Sequence, residues 1–106
     1  MSNAGTFNNT ANGTVSGLLT NTAGTTTNTG QLNGGATVSG GTLTNNNQIS
    51  GTVTTSGAGD VENNWIITGA VDNAGTFKNN AGGSVSGLLT NTAGTATNYG
   101  DRKCVG

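Results

Sequence analysis

The sequence predicts an all-β fold of the β-solenoid type, a single-stranded parallel β-helix with about six coils of about 18 residues. Three observations predict it. The first is a duplication: Val15-Ser-Gly-Leu-Leu-Thr-Asn-Thr-Ala-Gly-Thr25 recurs letter for letter at Val85 to Thr95, an offset of 70 residues. Asn3–Gly30 aligns with Asn73–Gly100 without a gap and differs only at 8/78, 10/80, 12/82, 14/84, 26/96 and 29/99, so 22 of 28 positions agree. The second is the pattern Gly-Thr/Asp-x-x-Asn. It reads Gly5-Thr-Phe-Asn-Asn9, Gly24-Thr-Thr-Thr-Asn28, Gly41-Thr-Leu-Thr-Asn45, Gly59-Asp-Val-Glu-Asn63, Gly75-Thr-Phe-Lys-Asn79 and Gly94-Thr-Ala-Thr-Asn98, with glycine steps of 19, 17, 18, 16 and 19. The third is an interleaved apolar-polar-Gly pattern at Val15-Ser-Gly17, Leu32-Asn-Gly34, Ile49-Ser-Gly51, Ile67-Thr-Gly69 and Val85-Ser-Gly87, stepping by 17, 17, 18 and 18. Two motifs held in phase mark a stack. The offset of 70 is then four coils.

Each element of a coil follows in order. Thr, Val and Ile favour strands, whereas Gly, Asn and Thr are poor helix formers, and 18 residues are too few for a helical hairpin with its loops. Short alternation such as Gly41-Thr-Leu-Thr turns one side chain inward, which gives a first inward column of Phe7, Thr26, Leu43, Val61, Phe77 and Ala96. The Asn column that follows (Asn9, Asn28, Asn45, Asn63, Asn79, Asn98) is expected at a corner, where Asn tolerates left-handed backbone and its amide can ladder between levels. A second inward column holds Val15, Leu32, Ile49, Ile67 and Val85. Glycines make the next bend. Two residues past each of them stands a third column: Leu19, Ala36, Val53, Val71 and Leu89. Three apolar residues per coil suffice for a thin core shared with neighbouring coils. A left-handed helix of three hexads also needs about 18 residues, but the uneven spacing of these columns favours the right-handed form. Residues 1–100 are read as the solenoid and 101–106, which leave the repeat, as a tail.

Composition sets limits on this reading. The 106 residues suit one domain, yet only 30% are hydrophobic and 7% charged, with 20 Gly and no Pro. Such a chain lacks the apolar mass for a thick core. Disorder is the competing expectation, but disordered tracts are typically rich in charge and Pro, and this one is not. A net charge of −1 offers no footprint for nucleic acid or anionic membrane. With no His and a single Cys, Cys104, the chain can build neither an internal disulfide nor a His-based catalytic or metal site. Cys104 is expected to be a free, exposed thiol able to pair between chains. No stretch reads as a signal peptide or a bilayer span, and no cofactor is expected. The near-immediate start of repeat sequence after Met1 fits a piece of a longer reading frame.

Asn3-Ala-Gly-Thr-Phe7, Asn73-Ala-Gly-Thr-Phe77 and Asn28-Thr-Gly-Gln-Leu-Asn33 resemble the Asn-x-Gly-Thr-apolar units of bacterial autotransporter passengers and filamentous-haemagglutinin-type adhesins, over roughly residues 3 to 100. The resemblance implies a right-handed β-helix and an extracellular or bacterial cell-surface location. It also implies a structural or adhesive role. A host surface or a carbohydrate would then be the partner. No catalysis is expected, because neither converging acids nor a nucleophile with its base stands in the sequence. The export signal, translocation barrel and capping domain of that group are not found in this sequence.

The candidate sites are few. Asp60 and Glu62 flank inward Val61 and project outward together, as paired acids do in solenoid polysaccharide-active enzymes. No third acid or substrate clamp joins them, and Lys78, one coil above Glu62, makes a surface ion pair the plainer expectation, worth under about 1 kcal/mol. Gly57-Ala-Gly-Asp60 resembles one copy of a calcium-binding turn that needs stacked copies. Thr25/Thr27, Thr42/Thr44 and Thr95/Thr97 place paired hydroxyls outward, the arrangement of solenoid ice-binding proteins. That is the rival function, in an ice- or carbohydrate-binding form. Trp65 and Tyr99 are the large aromatics outside the inward columns, suited to stacking on a sugar or covering a corner. Uncapped strand edges at both ends predict end-to-end self-association.

Overall fold

The computed structural model describes the backbone of residues 1–105 and the side chains of residues 1–100. In chain order the strands are β1 (Ser2–Asn3), β2 (Thr6–Asn9), β3 (Thr14–Val15), β4 (Leu19–Asn21), β5 (Thr25–Asn28), β6 (Gln31–Leu32), β7 (Ala36–Val38) and β8 (Thr42–Asn45). They continue as β9 (Gln48–Ile49), β10 (Val53–Asn63), β11 (Ile66–Ile67), β12 (Val71–Asn79), β13 (Ser84–Asn91), β14 (Thr95–Asn98) and β15 (Asp101–Val105). Among the described residues there is no helix. Every strand pairing is parallel and joins residues about one coil apart, so the protein is a β-solenoid of about five full turns. On the face that begins with β2 and ends with β14 the strands stack in the six levels expected from the repeat.

Three faces run along the stack. The first is built from β1, β4, β7, the first parts of β10 and β12, and the end of β13. The second contains β2, β5, β8, the second parts of β10 and β12, and β14. The third contains β3, β6, β9, β11 and the start of β13. Strand pairing brings the three expected apolar columns into register: Phe7↔Thr26↔Leu43↔Val61↔Phe77↔Ala96, Val15↔Leu32↔Ile49↔Ile67↔Val85, and Leu19↔Ala36↔Val53↔Val71↔Leu89. Their inner members are buried, and Val38, outside all three expected columns, joins the same core. Phe7, Val15 and Ala96, at or next to the two ends, are only partly covered. The core is a thin apolar thread, partly uncovered at Phe7 and Val15 towards one end and at Ala96 towards the other.

Coil length varies only at the bends. Between Ser56 and Asp60 the register of β10 against β12 shifts, and the Gly57-Ala58-Gly59 bend takes up the extra residues. Gly57 has a φ of +57°, a left-handed conformation that glycine adopts without a Cβ penalty. The tail also departs from the expected boundary at residue 100. Asp101–Val105 pairs along β13, with Asp101 and Arg102 against Ser84 and Val85 and then a shift to Lys103–Val105 against Leu88–Thr90. Its backbone therefore continues the stack. The Cys104 side chain, on which the expected free thiol depends, lies outside the described residues.

Candidate contact surface and the asparagine ladders

The Asn column forms a continuous side-chain ladder. Asn9 Nδ2 donates to Asn28 Oδ1 at 2.7 Å, Asn28 to Asn45 at 2.9 Å, Asn45 to Asn63 at 2.8 Å, Asn63 to Asn79 at 2.8 Å and Asn79 to Asn98 at 2.8 Å. The amides of Asn9, Asn28, Asn45 and Asn63 also tie down their own bends and the level above. Asn45 Nδ2, for example, donates to Asn47 O at 2.8 Å and to Ile66 O at 3.0 Å. One expectation is corrected. Among the described residues only glycines have positive φ, and these asparagines end their strands in extended backbone. They turn inward, and all but the half-buried Asn98 are buried. The reason is local: a strand-end side chain directed at the bend can satisfy its amide there, which left-handed backbone would not do.

A second inward polar column was missed by sequence reasoning. Strand register aligns Asn3, Asn21, Val38, Thr55, Asn73 and Asn91 on the first face. Asn3 Nδ2 donates to Asn21 Oδ1 at 2.9 Å and Asn73 Nδ2 to Asn91 Oδ1 at 2.8 Å. Thr26 Oγ1, in the first inward column, also donates to Asn21 Oδ1 at 2.9 Å, tying this second polar column to the core. Val38 and Thr55 interrupt this ladder, and Thr55 Oγ1 is buried without a hydrogen-bond partner. The available signal was an Asn six or seven residues before Asn9, Asn28, Asn79 and Asn98. A third, outer ladder links Asn46, Asn64 and Asn80 at 2.8 and 2.6 Å.

The threonine face is more continuous than a Thr-x-Thr search suggests. Register places Thr6, Thr25, Thr42, Asp60, Thr76 and Thr95 in one outward column, and Asn8, Thr27, Thr44, Glu62, Lys78 and Thr97 in the next. Thr25 and Thr95 are exposed, while Thr27, Thr42, Thr44 and Thr97 are half-buried. Thr6 and Thr76 belong to the array and were missed because their coils lack the second threonine. Asp60, Glu62 and Lys78 divide the face into two parts. A second threonine column, Thr20, Thr37, Thr54 and Thr90 with Asp72 among them, runs along the first face.

The acid pair does not form the expected ion pair. Register puts Lys78 beside Glu62, yet among the described residues Glu62 has only a long contact from Asn80 Nδ2 at 3.5 Å. Partial burial, and then the Glu62 carboxylate, push Asp60 above its ordinary value of 3.8, and Lys78 acts in the opposite direction. Among the described residues no group of three metal-ligating side chains occurs and no pocket opens. Trp65 is 50% exposed and Tyr99 67%. Trp65 precedes β11 and Tyr99 ends the outer asparagine column two levels away, so the fold does not bring them together. Leu18 and Leu88, equivalent residues of the duplicated stretch, are also exposed and were not singled out from sequence.

Fold and surface together define the class, a laddered β-solenoid whose recognisable features run along its axis. No protein-family model, curated protein or solved structure matches the chain.

Proposed function

We propose that the chain is a structural repeat segment with weakly adhesive outer faces, serving as a stiff spacer in an extracellular or bacterial cell-surface protein of the autotransporter-passenger or filamentous-haemagglutinin type. The observation that carries this reading is the unbroken Asn9-to-Asn98 ladder, parallel to three apolar columns. Every level repeats the bonding of the one below it, which supports extension rather than convergence on one reacting point. Stability in such a stack is a sum over neighbours, so coils are interchangeable and length is adjustable. The outward Thr columns, Trp65 and Tyr99 are the groups offered to a host surface or a carbohydrate. Asp60 and Glu62 are surface charges in this reading, and no catalysis is assigned.

The test removes one coil in register. Deleting Gly24–Gly40 joins Ala23 to Gly41, which is equivalent to Gly24. Small-angle scattering should show a folded chain shorter by about 4.8 Å. Surfaces coated with either chain should hold polysaccharide-bearing cells to a similar degree. Loss of folding or of all adhesion on deletion of this single coil would show a localised site and end the spacer reading.

A second reading rests on a specific observation, the outward column Thr6, Thr25, Thr42, Thr76 and Thr95. In that reading the face binds ice. Thermal hysteresis that falls in Thr25→Leu would replace the spacer proposal, and its absence would remove the rival.

A further inference from the structure

The ladders have a direction, and their two ends complement each other. Within the Asn9-to-Asn98 column every bond runs from an Nδ2 in one coil to an Oδ1 in the coil above. At the first level, among the described residues, no group donates to Asn9 Oδ1. At the last level, among the described residues, Asn98 Nδ2 donates only within its own bend, to Gly100 O at 3.0 Å. Its equivalent Asn28 also reaches Asn45 Oδ1 and Gln48 O in the coil above. One end of the stack thus presents an amide donor and the other an amide acceptor, in the same column. The core is open at the same levels, with Phe7 and Ala96 only partly covered.

The internal duplication shows that both half-surfaces work. The underside of the first level, Asn3-Ala-Gly-Thr-Phe-Asn-Asn9, has a near-identical copy in Asn73-Ala-Gly-Thr-Phe-Lys-Asn79, which already rests on a coil below through Asn63 Nδ2 to Asn79 Oδ1. The upper side of the last level, Asn91 to Asn98, has its copy in Asn21 to Asn28, which already carries a coil above it. The backbone agrees. Thr25, Thr42 and Asp60 direct their N–H groups down to Gly5, Gly24 and Gly41, and Tyr99 does so to Asn79. Parallel strands alternate these directions residue by residue, so the Ala96 and Asn98 N–H groups point to the open edge.

We infer that copies of this chain stack head to tail, with β2 of a second copy docking on β14. The register is Thr6 on Thr95, Phe7 on Ala96, Asn8 on Thr97 and Asn9 on Asn98, so that Asn98 Nδ2 donates to Asn9 Oδ1 of the second copy. Ala96, the smallest member of its column, then lies between Phe77 and the second copy's Phe7. The contact is heterologous and does not close on itself, so it builds an open filament rather than a dimer. One feature restrains it. By the register of Asp72 on Thr54, the second copy's Ser2 would pair with Thr90, which Val105 already occupies. Docking therefore centres on β14, and β15 competes for the neighbouring edge. The inference is independent of the proposed role.

The test uses the full chain in three forms. Sedimentation velocity over a concentration series should show mass rising without a limiting dimer. Ala96→Pro removes an N–H that serves no internal bond and sits at an edge strand, where proline is tolerated. It should keep the β-type circular dichroism and sediment as a monomer. For register, Asn8→Cys and Thr97→Cys chains, each also carrying Cys104→Ser, are mixed and oxidised. Adjacent strands put these positions about 4.8 Å apart, within disulfide reach. The expected product is the mixed disulfide dimer. A concentration-independent monomer, association undiminished by Ala96→Pro, or preferential coupling of Asn8→Cys chains to each other would each overturn the inference.

Discussion

At the scale of the residue, Asn45 is one of the most connected side chains of the Asn9-to-Asn98 ladder. Its Oδ1 accepts from Asn28, and its Nδ2 donates to Asn63 Oδ1, Asn47 O and Ile66 O, all within a fully buried site. Leaving a buried partner unsatisfied costs about 1–3 kcal/mol. Asn45→Ala strands several at once, so urea unfolding should show a loss of about 2–5 kcal/mol. The outward Thr97→Ala should stay within about 0.5 kcal/mol. In the same measurement Thr55→Asn should move the other way. The new amide would fill the gap below Asn73 and replace a buried hydroxyl that has no partner, for a gain of about 1 kcal/mol. Asp60 gives a pH signature. Its folded value is raised, so its protonated form is favoured in the native state. The contribution to stability is full below the ordinary value of 3.8 and is lost as pH rises through the raised one. Thermal melts should therefore fall as pH rises above that ordinary value. Asp60→Asn should flatten that slope and melt higher at neutral pH; a slope that survives in the variant would assign it elsewhere.

At the scale of the element, the bends set how closely coils approach. Gly17, Gly34, Gly51, Gly69 and Gly87 lie at equivalent bends after the third-face strands. A Cβ on Gly69 would run into the Gly51 backbone, whereas one on Gly17 meets nothing within 4 Å because no coil lies beneath it. Gly69→Ala should lower stability by about 1–3 kcal/mol. Gly17→Ala should be neutral or gain a few tenths of a kcal/mol. Equal losses at both positions would mean that the bend geometry, and not the approach of coils, requires glycine. The apolar columns were legible in the sequence because each has a side chain of one chemical type at one period, as in Leu32, Ile49 and Ile67. The Asn column was legible for the same reason, but its backbone and direction were not. A polar side chain in a one-dimensional pattern is read as outward, and only the coils above and below supply the bonds that allow it inside. The second ladder was hidden further by Val38 and Thr55, which break its letter code while keeping its register. The Thr face was half legible, since Thr6 and Thr76 line up only once strand pairing is known. The β15 strand was not legible at all. Its pairing with β13 uses backbone groups that any sequence carries.

At the scale of the whole molecule, the described chain measures 32 × 25 × 20 Å, a short block with two unlike ends. A spacer of useful length therefore needs more coils of the same kind, either in a longer chain or through the head-to-tail contact. Competition at Thr90 makes β15 the control point for the second route. A chain ending at Gly100 should keep its β-type circular dichroism and associate at several-fold lower concentration than the full chain. Association that weakens instead would make β15 part of the contact rather than its competitor.

The register shift at Gly57–Gly59 has a consequence of another kind. The coil there takes on additional residues at its bend, yet the Val61 and Asn63 positions return to their columns on the next strand. The molecule thus keeps two accounts of its sequence apart: strands, where one added residue would invert inside and outside, and bends, where residues can come and go. Variation in such a chain is channelled to the bends, and a foreign peptide spliced between Gly57 and Ala58 would be displayed on the surface while the ladders beneath it kept their count.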